Sequence, residues 1–280
     1  MNPRRRTRNI VTFLFLSAFG VLFIYPLIWM FFASVKPNEE IFATLRLWPS
    51  EFVWESYVRG WLGVGRYNFG HFFTNTFILV VPVVVLTAVS SLFVAYGFAR
   101  FRFPLKGPLF ALMISTLMLP DAVVIIPRYI LFREFGWLNT YQPFYMPALL
   151  AVNAFFVFLL VQFFRGIPRD LDEAAVMDGC NSFSVLTRVL LPLTMPAVIS
   201  VCIFQFIWTW NEFFNALIYI NSVSKYPVSL GLRMTMDNEG LVKWNEIMAM
   251  SVVSILPLVA VFFLAQRHFV EGIATTGLKS

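Results

Sequence analysis

Six long stretches of this chain carry almost no charge, and this limits the fold more than any other feature. Residues 10–33, 72–99, 143–164 and 247–265 contain no Asp, Glu, Lys or Arg. Residues 109–127 contain only Asp121, and residues 197–220 only Glu212. Each run is near the roughly 20 residues that cross a bilayer as a helix. Backbone groups in lipid must be satisfied within the segment, so continuous apolar runs of this length are read as helices. The whole chain is 59% hydrophobic and 13% charged. A soluble domain carries about 25% charged residues, so 280 residues do not divide here into soluble domains. The expected fold is all-α and integral to a membrane. It is a single transmembrane domain over residues 1–280 with six transmembrane helices.

The basic residues orient these helices. Arg4, Arg5, Arg6 and Arg8 precede the first run. Arg100, Arg102 and Lys106 crowd the nine-residue link between the second and third, which has no acid. Arg165, Arg169 and Arg188 lie between the fourth and fifth, and Arg267 and Lys279 follow the sixth. If all six runs cross, these residues share one side, and the positive-inside rule makes it cytoplasmic. Both termini are then cytoplasmic. The first run is too long for a signal-peptide core and lacks a small-residue cleavage site, so it reads as a retained span. Ser34-Val35-Lys36-Pro37 reads as its exit.

Several classes of function find no support. The net charge of +6 is accounted for by topology and makes no case for nucleic acid. Cys180 and Cys202 offer neither a disulfide framework nor a metal pattern, and His71 and His268 are far apart. Residues 272–280 read GIATTGLKS, close to a phosphate-binding G-x-x-x-x-G-K-[ST]. Leu278 breaks the spacing and no strand precedes it, so the segment reads as a mobile tail.

The polar segment at 173–192, EAAVMDGCNSFSVLTRVLLP, interrupts the apolar pattern. Pro168 suits a first helical turn, and Asp170, Asp172 and Glu173 add charge that the helix dipole favours there. Leu171, Ala174 and Ala175 give a small apolar face at i, i+3, i+4. Gly179 is placed to end the helix. Asn181 or Ser182 can cap a second short helix with Phe183, Leu186, Val189 and Leu190 on one side, closed by Pro192. A hairpin with so small a face suits close docking by another protein.

This segment resembles the EAA loop of ABC-importer permeases. Glu173-Ala174-Ala175, Gly179, Val189 and Leu191-Pro192 fall at the spacing of that motif. Other pieces resemble the second permease of carbohydrate importers of the maltose type. They are Thr74-Asn75-Thr76, the run Ala95-Tyr96-Gly97-Phe98-Ala99-Arg100, Leu119-Pro120 with Ile126-Pro127, and Leu138-Asn139-Thr140. Phe163-Phe164-Arg165-Gly166-Ile167-Pro168 and Trp210-Asn211-Glu212-Phe213 complete the order. Cys180 departs from the family, which often has Ala there. The resemblance implies a permease subunit with an EAA loop at 166–192, lying between spans four and five as a cytoplasmic coupling hairpin. Its coupling residues would be Glu173, Ala174, Ala175, Asp178, Gly179, Leu191 and Pro192. It implies a homologous second permease, two copies of an ABC ATPase and an extracytoplasmic binding protein as partners, in a bacterial inner membrane. No cofactor is expected in this chain, and ATP and Mg would be bound by the ATPase, so the chain is not itself an enzyme.

Polar groups inside apolar runs are costly and often functional. Asp121 lies about twelve residues into the third run and Glu212 about fifteen into the fifth. As straight helices, about 18 Å and 23 Å would precede them, which puts both in the outer half of the core. With Asn75, Asn153, Gln205, Trp208 and Asn211 they form a candidate solute pathway, carboxylates and amides for hydroxyls and an aromatic face for C–H groups. The other reading is that these groups fasten helices together. The outer segment at 34–71, rich in Trp48, Trp54, Tyr57, Trp61 and Tyr67, reads as an interfacial apron or as a contact surface for a binding protein. Residues 221–245 form a second outer loop. The function expected is a permease subunit for a sugar or oligosaccharide. Import of another solute such as a glycerol phosphate, or a secondary transporter, are the alternatives.

Overall fold

The computed structural model describes residues 3–63, 65–236 and 242–277. Along the chain the helices are α1 (Pro3–Ser34), α2 (Glu40–Ala43), α3 (Glu55–Leu62), α4 (Phe69–Arg100), α5 (Lys106–Ser115) and α6 (Asp121–Glu134). They continue with α7 (Gln142–Leu149), α8 (Ala154–Arg165), α9 (Asp170–Met177), α10 (Ser182–Ser184), α11 (Leu191–Trp210), α12 (Phe214–Tyr219), α13 (Val228–Met236) and α14 (Trp244–Gly277). No strand occurs among the described residues. Five helical stretches are long and apolar enough to span a membrane, and a sixth only if a pair bent by 105° counts as one span.

That bent pair corrects the expectation of a straight helix at 109–127. α5 tightens into a 3₁₀ turn at Thr116–Met118, and α6 starts afresh at Asp121. The cause is Pro120. Leu119 before it takes an extended conformation (φ −79°, ψ 120°), as a residue preceding proline must to avoid the ring. Asp121 is therefore the first residue of a new helix, and its depth cannot be counted along one axis. The fourth and fifth runs are also interrupted. α7 and α8 are separated at Leu150–Asn153, where Ala151 has φ +52°. α11 ends at Trp210, and α12 begins four residues later.

The chain groups into two compact units. The first comprises residues 1–70 and 231–256. Here α1 ends at Ser34, as expected from the sequence, and Ser34, Val35 and Lys36 are buried. Val53 N–H donates to the Val35 carbonyl at 2.7 Å, the Ser34 and Tyr57 hydroxyls bond at 2.8 Å, and Lys36 Nζ donates to the Arg46 carbonyl. Asn38 Oδ1 accepts from Trp244 N–H at 2.7 Å, and its Nδ2 donates to the Val242 carbonyl, which ties the loop to the start of α14. Gly60 lets α3 approach α14 closely: a Cβ there would lie 3.1 Å from the Glu246 carbonyl oxygen. Trp48, Trp54 and Trp61 stay largely exposed. The expected second outer loop holds α13, and its residues 237–241 lie outside the described ones.

The second unit comprises residues 71–230 and 257–280. Its core forms where α4 presents Ala88, Leu92, Ala95 and Ala99, a stripe at four- and three-residue spacing, to Phe156, Val157, Leu160 and Phe164 of α8. Small residues permit close approach, which matters where lipid gives helices no hydrophobic reason to associate. Val201 of α11 and Val185, Leu186 and Leu190 before it complete the cluster. Ser90 Oγ donates to the Ala148 carbonyl at 2.6 Å, satisfying a group near the end of α7. The expected mobile tail is instead helical as far as Gly277, and residues 278–280 lie outside the described ones.

Candidate functional site

The EAA segment is built on a closed helix. α9 starts at Asp170, two residues after Pro168, so Pro168 belongs to the preceding turn and not to the helix. Asp170, Asp172 and Glu173 do lie in its first turn. Gly179 has φ +83°; its N–H donates to the Val176 carbonyl at 3.0 Å, and Cys180 N–H to the Ala175 carbonyl at 2.9 Å. These two bonds are a Schellman motif, which satisfies the last carbonyls and needs a left-handed residue. A Cβ at Gly179 would meet nothing within 4 Å, so the backbone angle, not space, calls for glycine.

Asn181 caps the next helix, its Oδ1 accepting from Ser184 N–H at 2.8 Å. That helix does not stop at Pro192. It runs through a π turn at Val185–Leu190 into α11, with Pro192 in the first turn of α11. The wide π turn loosens the bond ladder where the proline ring lacks an N–H and would crowd an i−4 carbonyl. Leu186 and Leu190 are buried and Phe183 is 62% exposed, so the expected single face is split. The small face of α9 is split too. Ala175 packs into the core, while Leu171, Ala174, Val176 and Met177 face outward, Met177 at 86% exposure. Glu173 and Asp178 are exposed beside them.

α9 is fixed to the bundle by charge. Arg100, at the end of α4, puts Nε 2.7 Å from Asp172 Oδ2, with side-chain exposures of 7% and 20%. The N–H is not aligned on that oxygen, and Asp172 Oδ1 is buried without a hydrogen-bond partner. Arg100 Nη2 also donates to the Ile167 carbonyl, and Arg169 to that of Ala99. Burial pushes the Asp172 carboxyl upward in pKa, and the Arg100 and Arg169 guanidinium groups oppose the shift.

A cavity of about 830 Å³ opens in the second unit. Asp121, Asn153, Gln205, Trp208 and Glu212 all line it, together with Arg128, Thr209, Asn215 and Tyr219. Three of these residues start or precede helices. Asp121 opens α6, Asn153 caps α8 by accepting from Phe155 N–H at 3.2 Å, and Glu212 accepts from Asn215 N–H and Nδ2 at the start of α12, both at 3.0 Å. Gln205 Nε2 donates to Thr209 Oγ1 at 2.7 Å, and Asp121 Oδ1 lies 3.5 Å from Arg128 Nη2. The structure does not bring Asn75 or Asn211 to this cavity. Asn75 is buried and donates to the carbonyls of Ser224 and Tyr226, a fastening role. Asn211 donates to the Ile207 carbonyl of its own helix at 2.8 Å. Sequence reasoning missed Arg128, Thr209, Asn215 and Tyr219 as cavity lining. The Glu-x-x-Asn spacing at 212–215 was the available signal, since it matches a side chain reaching a helix N-terminus.

Residues 89–275 match the model of a family described as "Binding-protein-dependent transport system inner membrane component". The chain belongs to that family. It is a multi-pass component of the inner membrane, and the family is one of transport permeases, not of known enzymes. Among similar proteins is the trehalose/maltose transport system permease protein MalG of Thermococcus litoralis, 32% identical over 93% of each chain. Another is the sn-glycerol-3-phosphate transport system permease protein UgpE of Rhizobium meliloti, 30% identical over 99% of each chain. In fold, the chain is similar to a solved bacterial ABC transporter involved in the import of the acidic polysaccharide alginate. The TM-score is 0.84 at 23% identity, covering 96% of this chain and 99% of the other.

Proposed function

We propose that this permease works in an ATP-driven importer for a sugar or oligosaccharide, paired with a homologous permease and served by two ABC ATPase subunits and an extracytoplasmic binding protein. The observation that carries this reading is the outward face of α9. Leu171, Ala174, Val176 and Met177 form an apolar surface on a helix locked by Arg100 and closed by Gly179. That is a knob for a partner groove, with Glu173 and Asp178 exposed among its apolar side chains. Ala175 holds its inner side, and Leu191 and Pro192 carry movement onward into α11. Since the knob faces the ATPase, this end is cytoplasmic. ATP and Mg are bound by the partner, whose closure moves the hairpin and alternates access between two conformations.

The solute passes by the cavity lined by Asp121, Asn153, Gln205, Trp208 and Glu212. Two carboxylates, two amides and an indole suit sugar hydroxyls and C–H faces. MalG, by its name a trehalose/maltose permease, supports the same class. Arg128 favours a second reading, a phosphorylated solute of the kind named for UgpE. Asp121 at 3.5 Å offsets that cation, which leaves the neutral solute ahead.

The test is to introduce Glu173→Lys and Gly179→Val separately and measure ATPase co-purification and binding-protein-stimulated ATP hydrolysis in membranes. Both should fall while the permease remains inserted. Unchanged values in both variants would overturn the docking assignment.

A further inference from the structure

At the end of the second unit that bears α9 lies a second cavity, of about 490 Å³, lined by Arg100, Lys106, Arg165 and Arg169. Among the described residues one carboxylate, Asp172, forms an ion pair with this set, and it engages Arg100 alone. The cations are held in place by groups that leave their charge intact. Lys106 Nζ donates to the Phe101 carbonyl at 2.8 Å, Arg169 donates to the Ala99 carbonyl at 3.3 Å, and the Arg165 guanidinium sits 5.0 Å over the Phe110 ring. A concave site with four cations and a single carboxylate is suited to an anion with several acceptor oxygens.

Its surroundings identify the source of that anion. Arg100 ends α4 and Arg165 ends α8, two apolar membrane helices, so the cavity lies at headgroup level. From its rim an apolar stripe leads along α5. Leu105, the left-handed residue just before α5, and Leu109 and Leu112 on α5 are 69%, 45% and 64% exposed. A soluble phosphate or an acidic side chain of a partner needs no such stripe, whereas an acyl chain does. Basic pockets between membrane helices are a known kind of headgroup site. We infer that this cavity binds the phosphate of an anionic phospholipid, with the acyl chains along Leu105 and the Leu109–Leu112 face of α5. Because Arg100 and Arg169 also hold α9, the lipid braces the root of the hairpin. The site stands on inner-membrane placement alone and does not depend on which solute is carried.

The test uses the transporter purified through this chain with whatever subunits accompany it, titrated with phosphatidylglycerol or phosphatidylcholine and read by native mass spectrometry. The wild type should prefer phosphatidylglycerol. Lys106→Gln with Arg165→Gln should weaken its binding about 30-fold, since each surface charge contributes about 1 kcal/mol and about 1.4 kcal/mol is tenfold. If loss of the Phe110 contact keeps that variant from assembling, Lys106→Gln alone should weaken it about fivefold. Lys106→Arg and Arg188→Gln, the latter an exposed cation outside the cavity, should keep wild-type binding. Equal affinity for the two lipids, unchanged binding in the double variant, or complete displacement by inorganic phosphate would overturn the inference. So would loss of the ATPase from the double variant with lipid binding intact, which would assign the cavity to an acidic group of that partner.

Discussion

Asp172 separates two roles that share one helical turn. Asp170 and Asp172 both sit in the first turn of α9, where each interacts favourably with the helix dipole. Only Asp172 also neutralises Arg100, whose side chain is 7% exposed. Asp172→Asn leaves a nearly buried guanidinium without its countercharge. The cost expected is about 3 kcal/mol, the lower end of the range for a broken buried pair, because Asp172 keeps some contact with water. Asp170→Asn should cost about 0.5 kcal/mol, the dipole contribution alone. Thermal unfolding of the two purified variants measures the difference, and equal losses would mean that the pair does not anchor α9. The sequence displays both aspartates but does not tell them apart. The acid-rich first turn is local, and so is Gly179 as a stop, and both are readable. The partner of Asp172 lies 72 positions away at the end of another helix, and no periodicity within 170–177 points to it.

At the scale of elements, the apolar runs were legible and their interruptions were not. Leu119-Pro120 was visible as a pair, and pre-proline restriction gives a reason for a break. A proline inside a membrane helix is also commonly tolerated, and Pro26, Pro82, Pro196 and Pro257 lie within helices here. Whether a proline kinks or breaks depends on what replaces the lost bond, which is tertiary information. The breaks change how the polar residues are understood. The sequence pattern makes Glu212 an intrahelical carboxylate that faces a vestibule or fastens helices, whereas in the structure it caps α12 through Asn215. Glu212→Gln keeps an oxygen able to accept from Asn215 N–H, so subunit abundance should hold while uptake changes with the lost charge. Glu212→Ala removes the cap at a cost of about 1 kcal/mol and should lower abundance as well. Immunoblots of membranes beside solute uptake read this out, and equal abundance in both variants would remove the capping role.

Across the whole molecule, the polar groups that looked scattered along three apolar runs meet where those runs break. Irregular backbone at membrane depth is tolerated only when it is buried in protein or lines a wet cavity. Asp121, Asn153 and Glu212 sit at three such breaks, and all line the same cavity. Breaking the helices there serves two ends, since it frees backbone groups, two of which Asn153 and Glu212 cap, and it opens space between the spans. Helix identity and the EAA segment follow from patterns within about twenty residues, which one sequence displays. The convergence of residues 121, 153 and 212 depends on packing between runs, so Asn75 and Asn211 looked equally eligible and proved to have other partners. That distinction can be tested directly. In a background with Cys180→Ser and Cys202→Ser, the single changes Trp208→Cys, Glu212→Cys, Asn215→Cys, Asn211→Cys and Asn75→Cys are exposed to a water-soluble thiol reagent. Positions 208, 212 and 215 should react, and solute with its binding protein should protect them. Position 75, buried and tied to the 224–226 segment, should react slowly and without protection, and position 211, outside the cavity lining, should show no protection by solute. Protection at 75 and 211 with none at 208, 212 and 215 would move the solute path away from this cavity, while leaving the docking role of α9 untouched.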